Sequence, residues 1–457
     1  MIPPQQVIES GLQAAAASGR SDETIVIVSD RAEASLRWAG NSMTTNGVST
    51  SRTTAVISIV RQGDTARVGT RGSSAVDQSA VAALVSAATD AAHAAPEARD
   101  NAPLLTGSGE PADWDDPVPT TGAGAFAEVA RALSKGFAGN DRLYGYAHHV
   151  VETTLVGTST GLRRRFTQPT GSVEINAKRG HASAWAGVSA PWFTDVPLDS
   201  MLEDLSVRLG WAERTVELPA GRYETLMPPS TVADMMIYLG WSMDGRGAQE
   251  GRTALSAPGG GTRVGEKLTD LALTMYSDPR APGLECAPFV HTAAGSERLS
   301  VFDNGLGIDR VDWIRDGVIS SLVYPRAAAA EFGTAPAVPA DNLLMTGGTA
   351  DLADMVAATE RGLLLTTLWY IRTVDPTTLL LTGLTRDGVY LIEDGRVTAA
   401  VNNFRFNESP LDLLRRVTEA GVPEKTLPRE WSDWATRAVM PTLRIPDFHM
   451  SSVSQAQ

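Results

Sequence analysis

Few residues in this 457-residue chain have the type and spacing that chemistry requires. The segment "GTSTG", Gly157 to Gly161, matches G-x-S-x-G, in which a serine on a sharp strand-to-helix turn attacks a carbonyl with help from a histidine later in the chain. Arginines and a phenylalanine follow Ser159 and no helix pattern does, so a hairpin turn is the plainer reading. "GGTRVGEK", Gly260 to Lys267, approaches a phosphate-binding loop, but Glu266 intrudes before Lys267 and a leucine stands where Ser or Thr is needed. That carboxylate repels phosphate, and the segment reads instead as a backbone-rich loop bordering a cleft. Metal binding needs imidazoles, thiolates or carboxylates that converge. The six histidines, His93, His148, His149, His181, His291 and His449, are scattered; adjacent His148 and His149 in a strand pattern point to opposite faces, and His291 reads as a lone structural histidine. Asp303/Asp309 and Asp312/Asp316 are read as lying within hairpin turns, where local hydrogen bonding accounts for them. Cys286, the one cysteine, excludes an internal disulfide and any multi-thiolate site and suits a reducing cytoplasm.

The elements that must position these residues fall into two halves. Three- and four-residue apolar spacing predicts helices at 5–17, 78–94, 123–135 and 198–213. Strands are predicted at 24–29, 55–61 and 65–70, followed by a long hairpin of 144–157 and 161–179. Residues 95–124, rich in Pro, Gly and Asp, read as an exposed excursion. The pattern changes near Pro219, which sets an expected boundary between an N-terminal α/β domain of antiparallel strands, 1–218, and a C-terminal domain of antiparallel hairpins with few helices, 219–457. In that second part "VDWIRDGVISSLV" and "VYLIEDGRVTAAV" share an Asp-Gly step between alternating residues, the signature of a two-residue hairpin; internal duplication and convergent turn chemistry account for the echo equally well. A closing helix is expected at 410–420. The fold class is α+β.

Composition narrows the partners. With 39 basic against 53 acidic residues, a formal charge of −14 argues against nucleic acid, and the only basic cluster, Arg163 to Arg165, reads as a solvated strand edge. No uninterrupted apolar run of about 18 residues predicts a membrane span, and no signal segment opens the chain, so a cytoplasmic location is expected.

One element remains. "LMPPSTVADMMIYLGWSMDG", Leu226 to Gly245, reads as a strand end, a Pro-Pro turn and an amphipathic helix whose only ionisable groups, apart from Tyr238, are Asp234 and Asp244. With the Gly-rich loop after it and the runs "ERLSVFDNGLGIDRVDWIRDGVISSLVY" and "TGLTRDGVYLIEDGRVTAAVNNFRF", the order of elements resembles the TldD/TldE (PmbA) family over nearly the whole chain. In that family the TldD-type members are zinc metallopeptidases with H-E-x-x-x-H on the corresponding helix and a cysteine ligand nearer the C-terminus. Laid on this helix, the motif falls on Ile237, Tyr238 and Ser242, and Cys286 lies too early to match the thiolate. The resemblance therefore implies a TldE/PmbA-type member, with no zinc or other cofactor in this chain and the zinc carried by a TldD-type partner. That pair would enclose a chamber and cut unfolded peptide, held by backbone hydrogen bonds along sheet edges near Asp316-Gly317 and Asp394-Gly395. Ile237 and Leu239 are expected to pack; Tyr238 and Trp241 line a pocket or interface, or are plain core. Two alternatives stand beside this reading: a homodimeric peptide-binding scaffold without catalysis, and an autonomous hydrolase built on Ser159 or on an unrecognised carboxylate site.

Overall fold

The computed structural model describes residues 2–74, 78–107 and 109–454. The architecture is α+β. The first sheet contains β1 (Glu23–Trp38), β2 (Met43–Gln62), β3 (Thr65–Ser73), β4 (Arg142–Thr158), β5 (Arg163–Arg179) and β6 (Ala182–Ala190), in the order β3-β2-β1-β4-β5-β6 with every pairing antiparallel. Helices α1 (Pro4–Ser18), α2 (Gln78–Ala94), α3 (Ala127–Phe137) and α4 (Leu198–Trp211) supply apolar side chains to one face. Val7 and Ile8 of α1 meet Val26, Val28 and Val56, while Val129, Leu133 and Leu205 meet Leu36, Trp38 and Ile175. Gly69 lets α2 lie directly on β3, because a Cβ there would collide with the backbone of Ala88 and Ala92.

The other face of this sheet changes character along β1. Ile25 and Ile27 are covered by Phe289 and Phe302 from the second half of the chain, so the start of β1 is buried on both sides and reads as a continuous apolar run. Beyond Ser29 that cover ends. Ala32, Ala34, Leu36 and Trp38 stay buried, while Arg31, Glu33 and Arg37 alternate with them. This charged alternation hid the extension of β1 to Trp38 from the apolar pattern.

Two expectations for this half are corrected. The arginine cluster is not a solvated edge: Arg165 is buried and donates to the carbonyls of Asp113, Trp114, Asp116 and Pro117, and Arg163 pairs with Glu9 at 2.7 Å. For the same reason the 95–124 segment is not a free excursion. Its Trp114 is buried in the α1–α2 core and Leu104 packs with Ile25 and Ile57.

Among the described residues the second sheet has fourteen strands. Its main path runs β11 (Val318–Ile319), β10 (Val311–Arg315), β9 (Met275–Ser277), β12 (Leu343–Met345), β20 (Ala438–Val453), β8 (Gly221–Met227), β13 (Arg361–Leu365), β16 (Val389–Glu393), β17 (Arg396–Val401) and β7 (Thr215–Val216). Three further strands, β14 (Leu368–Asp375), β15 (Leu380–Thr385) and β18 (Phe404–Glu408), join through β18 to β20, and β19 (Glu419–Thr426) pairs with β20 as well. Most pairings are antiparallel; β12–β20, β13–β8 and β17–β7 are parallel. Both Asp-Gly hairpins form, with positive φ at Asp316, Gly317, Asp394 and Gly395. They do not offer long edges, however. β16 and β17 are flanked by β13 and β7, and β11 is only two residues long. The expected closing helix stops at Arg416, and β19 and the long β20 follow it. Asp303, expected in a hairpin turn, is instead buried in a 3-10 turn and pairs with Arg326 at 2.7 Å.

Against this sheet lies α5 (Pro229–Trp241). Pro228 holds an extended backbone and Pro229 starts the helix. Residues Thr231 to Ile237 are all buried, so the helix is enclosed on most sides rather than amphipathic at a surface. Its last turn is held by Arg298, which donates to the Gly240 carbonyl at 2.6 Å.

Candidate functional site

Where the first sheet faces the second half of the chain, a cavity of about 790 Å³ remains. One wall is β4 and β5, which alternate side chains between the helices and the cavity and so present His148, Glu152, Gln168 and Glu174. The opposite wall brings Ile237, Gly240 and Trp241 from the end of α5 together with His291, Asp341 and Arg437 from three separate loops. Adjacent His149 points the other way: Thr121 Oγ1 lies 2.6 Å from Nδ1, the Pro191 carbonyl 2.9 Å from Nε2, and the ring packs on Trp192. His148 and His149 therefore do not share a ligand position.

The cavity charges are mixed and mutually paired. Arg31 approaches Glu152 at 3.4 Å, His148 approaches Glu33 at 3.5 Å, and Arg437 pairs with Asp341 at 3.1 Å while also reaching Thr170. Desolvation lowers the pKa of His148 and His291 against the pull of nearby carboxylates. Desolvation likewise raises Asp341, opposed by Arg437, and raises Glu174, whose carboxylate accepts from Trp185 Nε1 at 3.2 Å. His291 is thus a cavity residue and not the isolated structural histidine expected. The wall offers polar groups of both kinds to a polypeptide backbone.

Outside Trp241 lies a second, more apolar groove of about 500 Å³. Tyr238, Trp241 and Trp431 form its aromatic side, with ring centroids 5.0 to 6.2 Å apart. Trp241 borders both spaces and remains 40% exposed. The Gly-rich loop Gly260 to Lys267, expected beside a cleft, does not supply this lining. Its Glu266 is tied to Arg263 and, at 3.1 Å, to Arg415.

The three positions laid on the metal motif are spread over these surroundings. Ile237 presents an aliphatic side chain to the cavity wall, Tyr238 shares a hydrogen bond with Thr373, and the Ser242 hydroxyl donates to the Tyr238 carbonyl at 2.9 Å. This set does not fit a zinc ion: it holds no imidazole, thiolate or carboxylate, and among the described residues no group of three or more His, Cys, Asp or Glu side chains converges anywhere. Asp234, one of the two carboxylates on this segment, is turned into the core. Its Oδ1 accepts the Glu430 amide at 3.0 Å, Oδ2 has no partner among the described residues, and desolvation pushes its pKa well up. Cys286 is buried beside Val290 and Ile308, where desolvation raises its thiol to about 12. Ser159 sits in the β4–β5 turn, its hydroxyl accepting the Thr24 amide at 3.0 Å.

Residues 220–452, just over half of the chain, match the model of the PmbA/TldA metallopeptidase C-terminal domain. The chain belongs to the PmbA/TldD family. The fold is shared over nearly full length with TldE from Thermococcus kodakarensis, at TM-score 0.78 and 16% identity over 97% of this chain and 99% of that one. A putative modulator of DNA gyrase from Bacteroides thetaiotaomicron gives TM-score 0.77 at 13% identity, covering 99% and 100% of the two chains. Its counterpart from Thermotoga maritima gives 0.77 at 14%, covering 97% and 99%. No curated protein matches.

Within this PmbA/TldD member, sequence reasoning singled out Tyr238 and Trp241 because they stand on the helix of interest. It missed Trp431, Asp341 and Arg437. No local pattern marks these three, since each reaches the site through contacts with residues far away in the chain.

Proposed function

We propose that this chain is the zinc-free, TldE-like half of a peptidase, pairing with a TldD-type zinc metallopeptidase to cut unfolded peptides. One observation carries the reading: α5 borders the cavity between the first sheet and the second half of the chain with Ile237 and Trp241, and the positions that would carry a metal motif hold an aliphatic side chain, a phenol and a hydroxyl already engaged with protein atoms. The helix reaches the cavity without metal donors at these positions. The mixed polar lining of the cavity suits peptide backbone, whose amides both donate and accept, better than a substrate of a single charge. Metal and activated water come from the partner. No helix among the described residues is long and apolar enough to cross a membrane, and the single thiol, Cys286, is buried.

The test is co-expression with a paralogue carrying H-E-x-x-x-H. The two chains should co-purify, zinc should follow the paralogue, and an unstructured peptide should be cut by the mixture and not by this chain alone. Cleavage by the lone chain, or one tightly held zinc per lone chain, refutes the proposal. Stoichiometric peptide capture with no cleavage beside any such paralogue would instead establish a peptide-binding scaffold.

A further inference from the structure

Among the described residues three arginines line the cavity, and two of them are already paired. Arg31 reaches Glu33 at 3.1 Å and Glu152 at 3.4 Å, and Arg437 reaches Asp341 at 3.1 Å. Arg298 is the third. Among the described residues it forms no ion pair, and its guanidinium makes one hydrogen bond, from Nη1 to the Gly240 carbonyl at 2.6 Å.

That bond places the charge at the C-terminal end of α5, where the helix carbonyls favour a cation. It also fixes which part of the guanidinium is left over. Nε and Nη2, whose N–H bonds run parallel along one edge, are the fork that grips both oxygens of a carboxylate, and neither is sealed away among the buried unpartnered atoms. The acidic neighbours do not fill that fork. Glu297 is committed to Arg246 and Arg252, each at 3.6 Å, while Asp244 accepts the Gly247 amide at 3.0 Å and attracts Arg298 only from beyond ion-pair reach. Desolvation lowers the pKa of Arg298 to about 10 against that attraction, so the side chain keeps its charge at pH 7 in a partly desolvated wall.

We infer that Arg298 binds a carboxylate on the peptide that this cavity takes, held side-on through Nε and Nη2 beside Gly240 and Trp241; the inference rests on the peptide reading of the cavity. A peptide offers two such groups, its terminal carboxylate and an Asp or Glu side chain, and both present the same planar pair of oxygens. A phosphate ester fits less well. Its second charge would meet Glu152, Glu174, Asp341 and Asp433 on the same lining, with Arg31 and Arg437 already paired. Neutral backbone is accepted along the mixed lining, whereas a carboxylate has one place to go. A terminal carboxylate held there also sets the direction of the chain, with its last residue at the end of α5.

Equilibrium binding to the purified full-length chain tests it, read as fluorescence anisotropy of one short, unstructured peptide labelled at its N-terminus. Three forms are compared: a free acid with no Asp or Glu, the same peptide as its C-terminal amide, and that amide with one internal Glu. Wild type should bind a carboxylate form on the order of tenfold tighter than the plain amide, and the form that gains identifies the source. Arg298→Gln should erase the preference and leave the affinity for the plain amide unchanged. Arg298→Lys keeps the charge and a donor for Gly240 but not the fork, and should keep only part of the preference. Damage to the end of α5 would weaken all three forms alike, and circular dichroism of both variants checks the fold. Equal affinity of wild type for the three forms, a preference that Arg298→Gln retains, or one that Arg298→Lys leaves undiminished overturns the inference and leaves the peptide reading standing. No binding of any form overturns both.

Discussion

Replacing Arg429 should loosen the joint between the two halves of the molecule, and the structure sets the size of the effect. The guanidinium pairs with Asp387, which also binds Ser183 of β6, and its Cζ lies 5.4 Å from the ring centroid of Trp185 and 5.2 Å from that of Trp369. Trp185 belongs to the first sheet and Trp369 to the second, so one side chain bridges them. Arg429 and Asp387 side chains are each only 9% exposed. Arg429→Ala leaves the buried Asp387 carboxylate with only Ser183 and the partly exposed Arg386, a change that should cost about 2–4 kcal/mol, below the full cost of stranding a buried charge. Arg429→Lys keeps a charge but cannot lie flat between two indoles, and should cost roughly 1–2 kcal/mol. Adding Asp387→Asn to Arg429→Ala removes the stranded charge and should restore on the order of 2 kcal/mol, measured as the coupling of a double-mutant cycle. The pH dependence gives an independent check. Desolvation pushes Asp387 up, but Arg429 and Ser183 more than reverse it and leave its pKa below the ordinary carboxylate value. That stability is present above pH about 4 and lost as pH falls through the folded pKa. Without Arg429 only Ser183 and Arg386 oppose the desolvation, so the Asp387 pKa should rise and the deficit of Arg429→Ala should be larger at pH 7 than at pH 4. Guanidinium unfolding followed by tryptophan emission reads all of these midpoints. Equal stability of wild type, Arg429→Lys and Arg429→Ala, or a double variant no better than Arg429→Ala, would refute the clamp.

Other outcomes follow from single residues. Asp234 has a raised folded pKa, so its contribution is full below pH about 4 and declines as pH rises through the folded value; Asp234→Asn, which stays neutral, should flatten the stability profile between pH 5 and 8, as thermal melts across that range would reveal. Asp234→Ala strands the Glu430 amide and should cost about 1–3 kcal/mol at any pH. Cys286 should resist alkylation at pH 8 until denaturant is added, and rapid labelling of the native chain would contradict its burial. Ser159→Ala loses only the turn contact with the Thr24 amide; it should cost about 1 kcal/mol and leave the peptidase rate of the paired complex unchanged. Gly69→Ala should destabilise severely, seen as lost soluble yield, because rigid backbone and not a side-chain tip occupies the space.

What the sequence made legible was local. The Pro-Pro turn before α5 and the Asp-Gly hairpins follow from φ constraints that act within a few residues, and helices α1 to α4 follow from spacing that repeats every turn. The second half of β1, β6, β19 and β20 were not read as strands. β1 changes its pattern where one face meets the cavity, and β20 carries Pro441 and Pro446 in the middle of a sheet, which argues against a strand on any local rule. The structure accommodates Pro446 where the β20–β8 register shifts between Ile445 and Phe448, so the ladder bond that Pro446 cannot donate falls where the pairing is already interrupted.

The site divides along the same line. That α5 lacks metal donors is a property of consecutive residues and is visible in the sequence; that His291, Asp341 and Arg437 meet across a cavity depends on β4, β5 and three loops, and no local rule contains it. The arginine run shows how far a local reading can miss. As a string, Arg163 to Arg165 is a charged edge, yet in the fold Arg165 satisfies four backbone carbonyls of a segment that itself reads as unstructured. Each piece looked solvated because the other was its partner.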